Sequence, residues 1–184
     1  MDSGKTYTSG AIIRGLVSAG HRVGAGKLTG TAAGRDGWLM LDAGASPVYD
    51  FVDCGFPSTF GCTLDELHTI FDTIVSNLAS ERVDYIVLEI ADGLLQSETA
   101  SLLQSREFTD QVDAFVYAAA DPLSAVGGLS CFRSMGIEPI AFSGLISRSR
   151  LGIEEVEKAT GLPCLSAKQL MAGFLNAKIE SLQA

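Results

Sequence analysis

Asp84-Tyr85-Ile86-Val87-Leu88-Glu89 is the stretch on which the fold turns. Its apolar run is nearly continuous and lacks the polar alternation of a strand with one wet face. It therefore reads as a strand covered by helices on both sides, the situation of a parallel sheet. Working outward, Asp113–Ala118 and Glu138–Phe142 read as strands of the same kind, and His21–Gly26, Val48–Asp53 and Pro163–Leu165 as shorter ones. Between them lie helical patterns. Tyr7–Ser18 carries Ile12, Ile13, Leu16 and Val17 on one side. A second helix runs from Thr63 to about Ala79, with Thr63 and Glu66 at capping-box spacing and Leu64, Leu67, Ile70, Phe71, Ile74 and Leu78 on a broad apolar face. Thr99–Gln104, Ser124–Met135, Ile153–Thr160 and Ala167–Leu182 complete the set. The alternation predicts an α/β fold, a mostly parallel central sheet flanked by helices with right-handed crossovers, as a single domain over 1–184. Trp38–Leu41 fits a helix or a short strand, and 30–37 reads as a flexible segment.

Composition narrows the class. The chain has 184 residues, 47% hydrophobic and 19% charged, which suits a packed core rather than disorder. A formal net charge of −9 argues against a nucleic-acid binder, while leaving room for a local basic pocket. Twenty glycines and only five prolines suit close crossings of helices and strands. Cys54, Cys62, Cys131 and Cys164 are scattered, with no C-x-x-C, and read as reduced cysteines rather than a metal site. Apolar clusters stop well short of a membrane span, so no membrane association and a cytoplasmic location are expected.

The chemistry-bearing motif is Met1-Asp2-Ser3-Gly4-Lys5-Thr6. It matches the second half of G-x-x-x-x-G-K-[ST], a loop that carries phosphates between a strand and a helix. Gly4 would let the backbone approach the phosphates, Lys5 would bring a positive charge, and Thr6 a hydroxyl for Mg²⁺. The helix start would add unpaired N–H donors. The competing reading is a turn entering a helix, with Lys5 facing water and Thr6 as a mere cap. The signature's leading glycine and its strand are not in the quoted sequence, so the expected fold lacks its first strand.

On these residues the chain resembles the P-loop nucleotide-binding superfamily, in particular the branch containing dethiobiotin synthetase. Gly26-Lys27-Leu28-Thr29-Gly30 is similar to that branch's lysine-bearing loop, and Glu89-Ile90-Ala91-Asp92-Gly93 to its acidic loop after a central strand. A closer likeness is to the domain-of-unknown-function 1611 family, carried by the phosphate loop, Thr29-Gly30-Thr31, Val52-Asp53 and the Glu-x-x-x-G pattern at Glu89–Gly93. The resemblance implies ATP and Mg²⁺ as cofactors and activation of a small-molecule carboxylate by phosphoryl transfer, as in a ligase or phosphotransferase.

Strand ends in an open α/β sheet gather ligands, and the predicted topology sets Lys5, Lys27, Asp53, Glu89 and Asp121 on that rim. Lys5 and Lys27 are the expected catalytic cations. Asp2, Ser3, Gly4, Lys5, Thr6 and Tyr7 are the expected cofactor-binding run, and Thr6, Asp53 and Glu89 the expected Mg²⁺ set. Asp42 competes with Asp53. Asp92, Thr29, Arg35 and Ser143-Gly144 are secondary candidates, each equally readable as a turn, surface or strand-end residue. His21, His68 and Cys54 do not assemble a nucleophile and its base. Besides the enzyme reading two alternatives stand, and a homodimer whose contacts change only with nucleotide would favour the first. One is a nucleotide-dependent switch or ATPase acting on a protein partner; the other is a degenerate structural domain.

Overall fold

The computed structural model describes residues 3–32 and 34–182. The chain begins with α1 (Lys5–Ser18), β1 (Val23–Lys27), α2 (Gly34–Ala43) and β2 (Val48–Asp50). It continues with α3 (Leu64–Ser80), β3 (Tyr85–Glu89), α4 (Ser97–Gln104), α5 (Arg106–Thr109) and β4 (Val116–Ala118). α6 (Pro122–Ser134), β5 (Ala141–Ser143), a 3₁₀ turn (Leu145–Arg148), α7 (Arg150–Thr160), α8 (Ala167–Met171) and α9 (Asn176–Glu180) follow.

All strand pairings within the named ladders are parallel, in two groups: β2-β1-β3 and β4-β5. The α/β architecture with helices on both faces is thus as the sequence predicts. On one face Ile13 and Leu16 of α1 and Met40 of α2 pack with Val23, Ala25, Tyr85 and Val87. On the other, Phe71, Ile74 and Leu78 of α3 pack with Leu102, Leu103 and Phe108, and with Ile86 and Leu88. Alternate residues of β3 therefore serve two different cores, which is why its sequence is apolar without alternation.

Two glycines of α1 allow the close crossings expected from composition. A Cβ at Gly10 would collide with Leu39 of α2, and one at Gly15 with the backbone carbonyl of Leu170 in α8.

Several boundaries differ from the sequence reading. β2 stops at Asp50, because the Asp50 carboxylate accepts the Val52 N–H and the chain turns. The segment read as flexible contains the first turn of α2. Pro163–Leu165 makes only an isolated bridge, Cys164 with Phe142. The terminal helix is broken at Gly173, whose φ of 78° is not helical, leaving α8 and α9 as short pieces. No helix among the described residues is long and apolar enough to cross a membrane.

Candidate phosphate-binding site

Gly4 is the residue that turns the chain into α1. Its φ of 86° and ψ of 23° are left-handed, and a Cβ there would press on Gly144 Cα at 3.2 Å and Leu145 N at 3.3 Å. The Ser3 carbonyl accepts the Leu145 N–H at 2.9 Å, tying the loop to the end of β5. The Gly4 carbonyl accepts both the Thr8 N–H and the Thr8 hydroxyl, so the helix starts at once. Among the described residues no side chain caps α1, and no acidic residue occupies its first turn. That leaves its leading N–H groups open to an anion, where the helix dipole favours negative charge.

Lys5 and Thr6 follow directly. Lys5 Nζ donates to the Asp92 carbonyl at 3.4 Å, and Asp92 has a φ of 72°. Thr6 Oγ1 donates to Glu89 Oε1 at 3.1 Å and lies 3.4 Å from Asp36 Oδ1. Glu89, at the end of β3, is 4% exposed, and its Oε2 is buried with no hydrogen-bond partner among the described residues. Burial pushes its carboxyl above the ordinary range. Asp36 adds to the rise, while the Thr6 hydrogen bond, Lys27 and Lys5 pull the other way.

Lys27, at the end of β1, is buried and forms an ion pair with Asp36 in the first turn of α2. Its Nζ also lies 6.0 Å from the Phe51 ring centroid. Two cations, a hydroxyl and two carboxylates thus meet at the open helix start. Asp36 was not among the sequence candidates. Its only signal was an acid in a loop between two strand ends, and the glycine-rich composition of 30–37 hid the helix that carries it.

The other candidates sit as follows. Asp2 lies outside the described residues, and Ser3 serves through its carbonyl. Tyr7 is exposed at the α1 start. The Asp53 carboxylate accepts the Asp50 N–H at 2.8 Å, and among the described residues it makes no hydrogen bond or ion pair with Thr6, Lys27 or Glu89. The early end of β2 is the reason. Among the described residues no group of three or more His, Cys, Asp or Glu side chains is placed to hold a metal ion. Asp42 offers Arg14 its backbone carbonyl, and Asp121 caps α6 through the Ser124 N–H. Thr29 is buried and donates to the Ala91 carbonyl, Arg35 is exposed, and Ser143 is buried. His68 is engaged by Ser105 and Glu107, and His21 by Glu180. Burial, reinforced by Asp53 and Asp50, pushes the Cys54 thiol up, away from a reactive thiolate.

No protein-family model matches the chain, and no curated protein matches it. A solved structure does. The signal recognition particle 54 kDa protein of Aeropyrum pernix K1, in complex with GDP, superposes with a TM-score of 0.58 at 18% identity. The chain has a P-loop NTPase-like fold. The match covers 98% of this chain and 45% of the other, so the chain spans less than half of that protein. It supports the broad P-loop fold and not the dethiobiotin-synthetase or 1611 branch. The expected small-molecule carboxylate partner is corrected by the same finding: the shared fold is that of a signal recognition particle protein holding GDP.

Proposed function

We propose that the chain is a nucleotide-dependent switch module. It holds a purine nucleoside triphosphate with Mg²⁺ at the start of α1 and alters its contacts with a protein partner accordingly. The observation that carries this is the uncapped, left-handed entry to α1 at Gly4, followed by Lys5 and by Thr6, whose hydroxyl is bonded to the buried Glu89. α3, α6, α7 and α8 have a side chain on their first-turn N–H groups, whereas α1, α4, α5 and α9 have no such cap, and of these four α1 alone starts from a left-handed glycine followed by Lys5 and Thr6. The residues fit a phosphate and a hard cation: N–H donors and Lys5 for the phosphates, the Thr6 hydroxyl and Glu89 for Mg²⁺. When bound, the cation would neutralise charge on the phosphates and lower the barrier to phosphoryl transfer.

The switch reading rests on Asp36. It ties α2 to Lys27 and Thr6, two of the groups that a phosphate and its cation would draw on. Lys27 turning to phosphate, and Thr6 to the cation, frees Asp36 and with it the start of α2. Tyr7 and Trp38 are 72% and 67% exposed on helices that pack together, which gives a partner an apolar surface beside the moving element. ATP is the sequence expectation and GDP is the nucleotide of the similar structure, so both triphosphates are to be compared.

The test is amide hydrogen exchange with ATP or GTP, with and without Mg²⁺. Exchange in the first turn of α2 should change at least fivefold on binding, while α3 stays constant. Binding with an unchanged α2 would remove the switch, and no binding of either nucleotide would remove the whole reading.

A further inference from the structure

Ser105 stands at the junction of α4 and α5, in the N-cap position of α5, with an extended backbone at φ −77° and ψ 120°. A serine there ordinarily turns its hydroxyl onto the first turn of its own helix, and Ser105 does not. Its carbonyl accepts the Phe108 and Thr109 N–H groups and the Thr109 hydroxyl, and its N–H donates to the Leu102 carbonyl, so the backbone is fixed. The side chain is directed elsewhere. Ser105 Oγ lies 2.9 Å from His68 Nε2, and the other ring nitrogen, Nδ1, lies 3.1 Å from Glu107 Oε2.

Packing holds the three groups in register. Phe71, one turn after His68 on α3, meets Phe108, one turn after Ser105, edge to face with ring centroids 4.9 Å apart. Both rings are buried, and so is Leu67 beside His68. The His68 side chain is 12% exposed, whereas that of Glu107 reaches it from solvent at 68%. A carboxylate only accepts, so Glu107 holds the proton of the neutral imidazole on Nδ1 and leaves Nε2 to accept the Ser105 hydroxyl. The expectation that His68 serves no nucleophile is thereby corrected: the serine lies 37 residues away in sequence, and the fold brings it in.

We propose that Ser105 is a nucleophile that takes acyl groups from small activated carboxylic esters, with His68 as its base and Glu107 positioning that base. Ser105 Oγ attacks the carbonyl carbon as its proton passes to His68 Nε2. The tetrahedral adduct then collapses: the C–O bond to the leaving group breaks, and the leaving group takes the proton from Nε2. An ester on Ser105 and a free alcohol or phenol result. Water, deprotonated by His68 in the same way, releases the carboxylic acid and restores the hydroxyl. Among the described residues His68 is the one hydrogen-bond partner of Ser105 Oγ, so charge on the carbonyl oxygen is left to solvent. That restricts the donors to esters with a good leaving group, and it makes the acylated serine accumulate. Ser105 is half-buried between exposed Gln104 and Arg106, open to a small donor. The inference does not rest on nucleotide binding.

The experiment is incubation of the whole chain with p-nitrophenyl acetate, with acetylation of Ser105 and Ser101 followed by peptide mass spectrometry. Ser101, exposed on α4 and bonded to no histidine among the described residues, is the internal reference. Ser105 should acetylate about 100-fold faster than Ser101, and His68→Gln should erase that advantage. Glu107→Gln keeps the side-chain length and removes the charge. It should slow Ser105 about tenfold with Ser101 and Tm unchanged, and Glu107→Asp, which restores the charge, should recover part of the rate. Equal acetylation of the two serines in the parent overturns the proposal, as does a Ser105 rate that survives His68→Gln in a folded protein. Should His68→Gln fail to fold, the parent ratio and the exposed Glu107 variants decide alone. A Ser105 rate that Glu107→Gln leaves unchanged, or that Glu107→Asp does not recover, overturns the arrangement and leaves the three residues as a clasp between α3 and α5.

Discussion

α1 and α3 are the two longest helices of the described chain, and they begin in opposite ways. α3 is closed by a reciprocal capping box, in which the Thr63 hydroxyl accepts the Glu66 N–H and the Glu66 carboxylate accepts the Thr63 N–H. The engagement holds the Glu66 carboxyl below its ordinary range. α1 starts from a glycine in a left-handed turn with no side chain over its first N–H groups, and a buried carboxylate with a free oxygen stands nearby. One start is finished for stability, and the other is left open at a cost in stability. α4, α5 and α9 also lack a side-chain cap, so what sets the α1 start apart is its left-handed glycine together with Lys5, Thr6 and the buried Glu89, the set that motivates a ligand there.

The largest effect that would break this contrast comes from Lys5→Ala, which should weaken nucleotide binding about 100-fold with Tm nearly unchanged, measured by calorimetric titration. Next, Glu89→Gln should remove most of the Mg²⁺ dependence, about tenfold in nucleotide affinity, while raising the stability of the nucleotide-free protein. The sign follows from its raised pKa. Folded Glu89 holds its proton to higher pH than in the unfolded chain. Its contribution is thus complete below the ordinary carboxylate range and is lost as pH rises through the raised value. Denaturant titrations across pH 4–8 should show that decline in the parent and a flatter profile in Glu89→Gln.

A smaller effect sharpens the choice of carboxylate. Asp36→Asn should change nucleotide affinity severalfold by freeing Lys27, and Asp53→Asn by less than about twofold, because Asp53 closes the turn at Asp50. The opposite ranking would return Asp53 to the cation. Smallest of all on nucleotide is Thr63→Ala. It should cost about 1 kcal/mol, lowering Tm by roughly 2–4 °C, and leave nucleotide affinity unaltered.

What the sequence disclosed depended on whether local chemistry and tertiary packing agreed. The α3 start at Thr63, its apolar face and the β3 run at Tyr85–Glu89 were legible because period, cap and burial all point the same way. α2 was not, since Gly34 and Gly37 are poor helix formers and the helix is held by packing against α1 and β1. With α2 unread, Asp36 was unread too. Val48–Asp53 looked like one strand because its apolar and aromatic residues continue past Asp50, where a side-chain acceptor turns the chain. The division of the strands into two groups has no local signature, because Tyr85–Glu89 and Val116–Ala118 have the composition of paired central strands.

The central claim is that the start of α1 binds phosphate, and its most direct measurement is calorimetric titration of GTP and ATP with Mg²⁺ into the chain and into Lys5→Ala. The account predicts saturable one-to-one binding of at least one triphosphate to the parent and its loss, by about 100-fold, in the variant. Equal affinity of the two proteins for that nucleotide would contradict it.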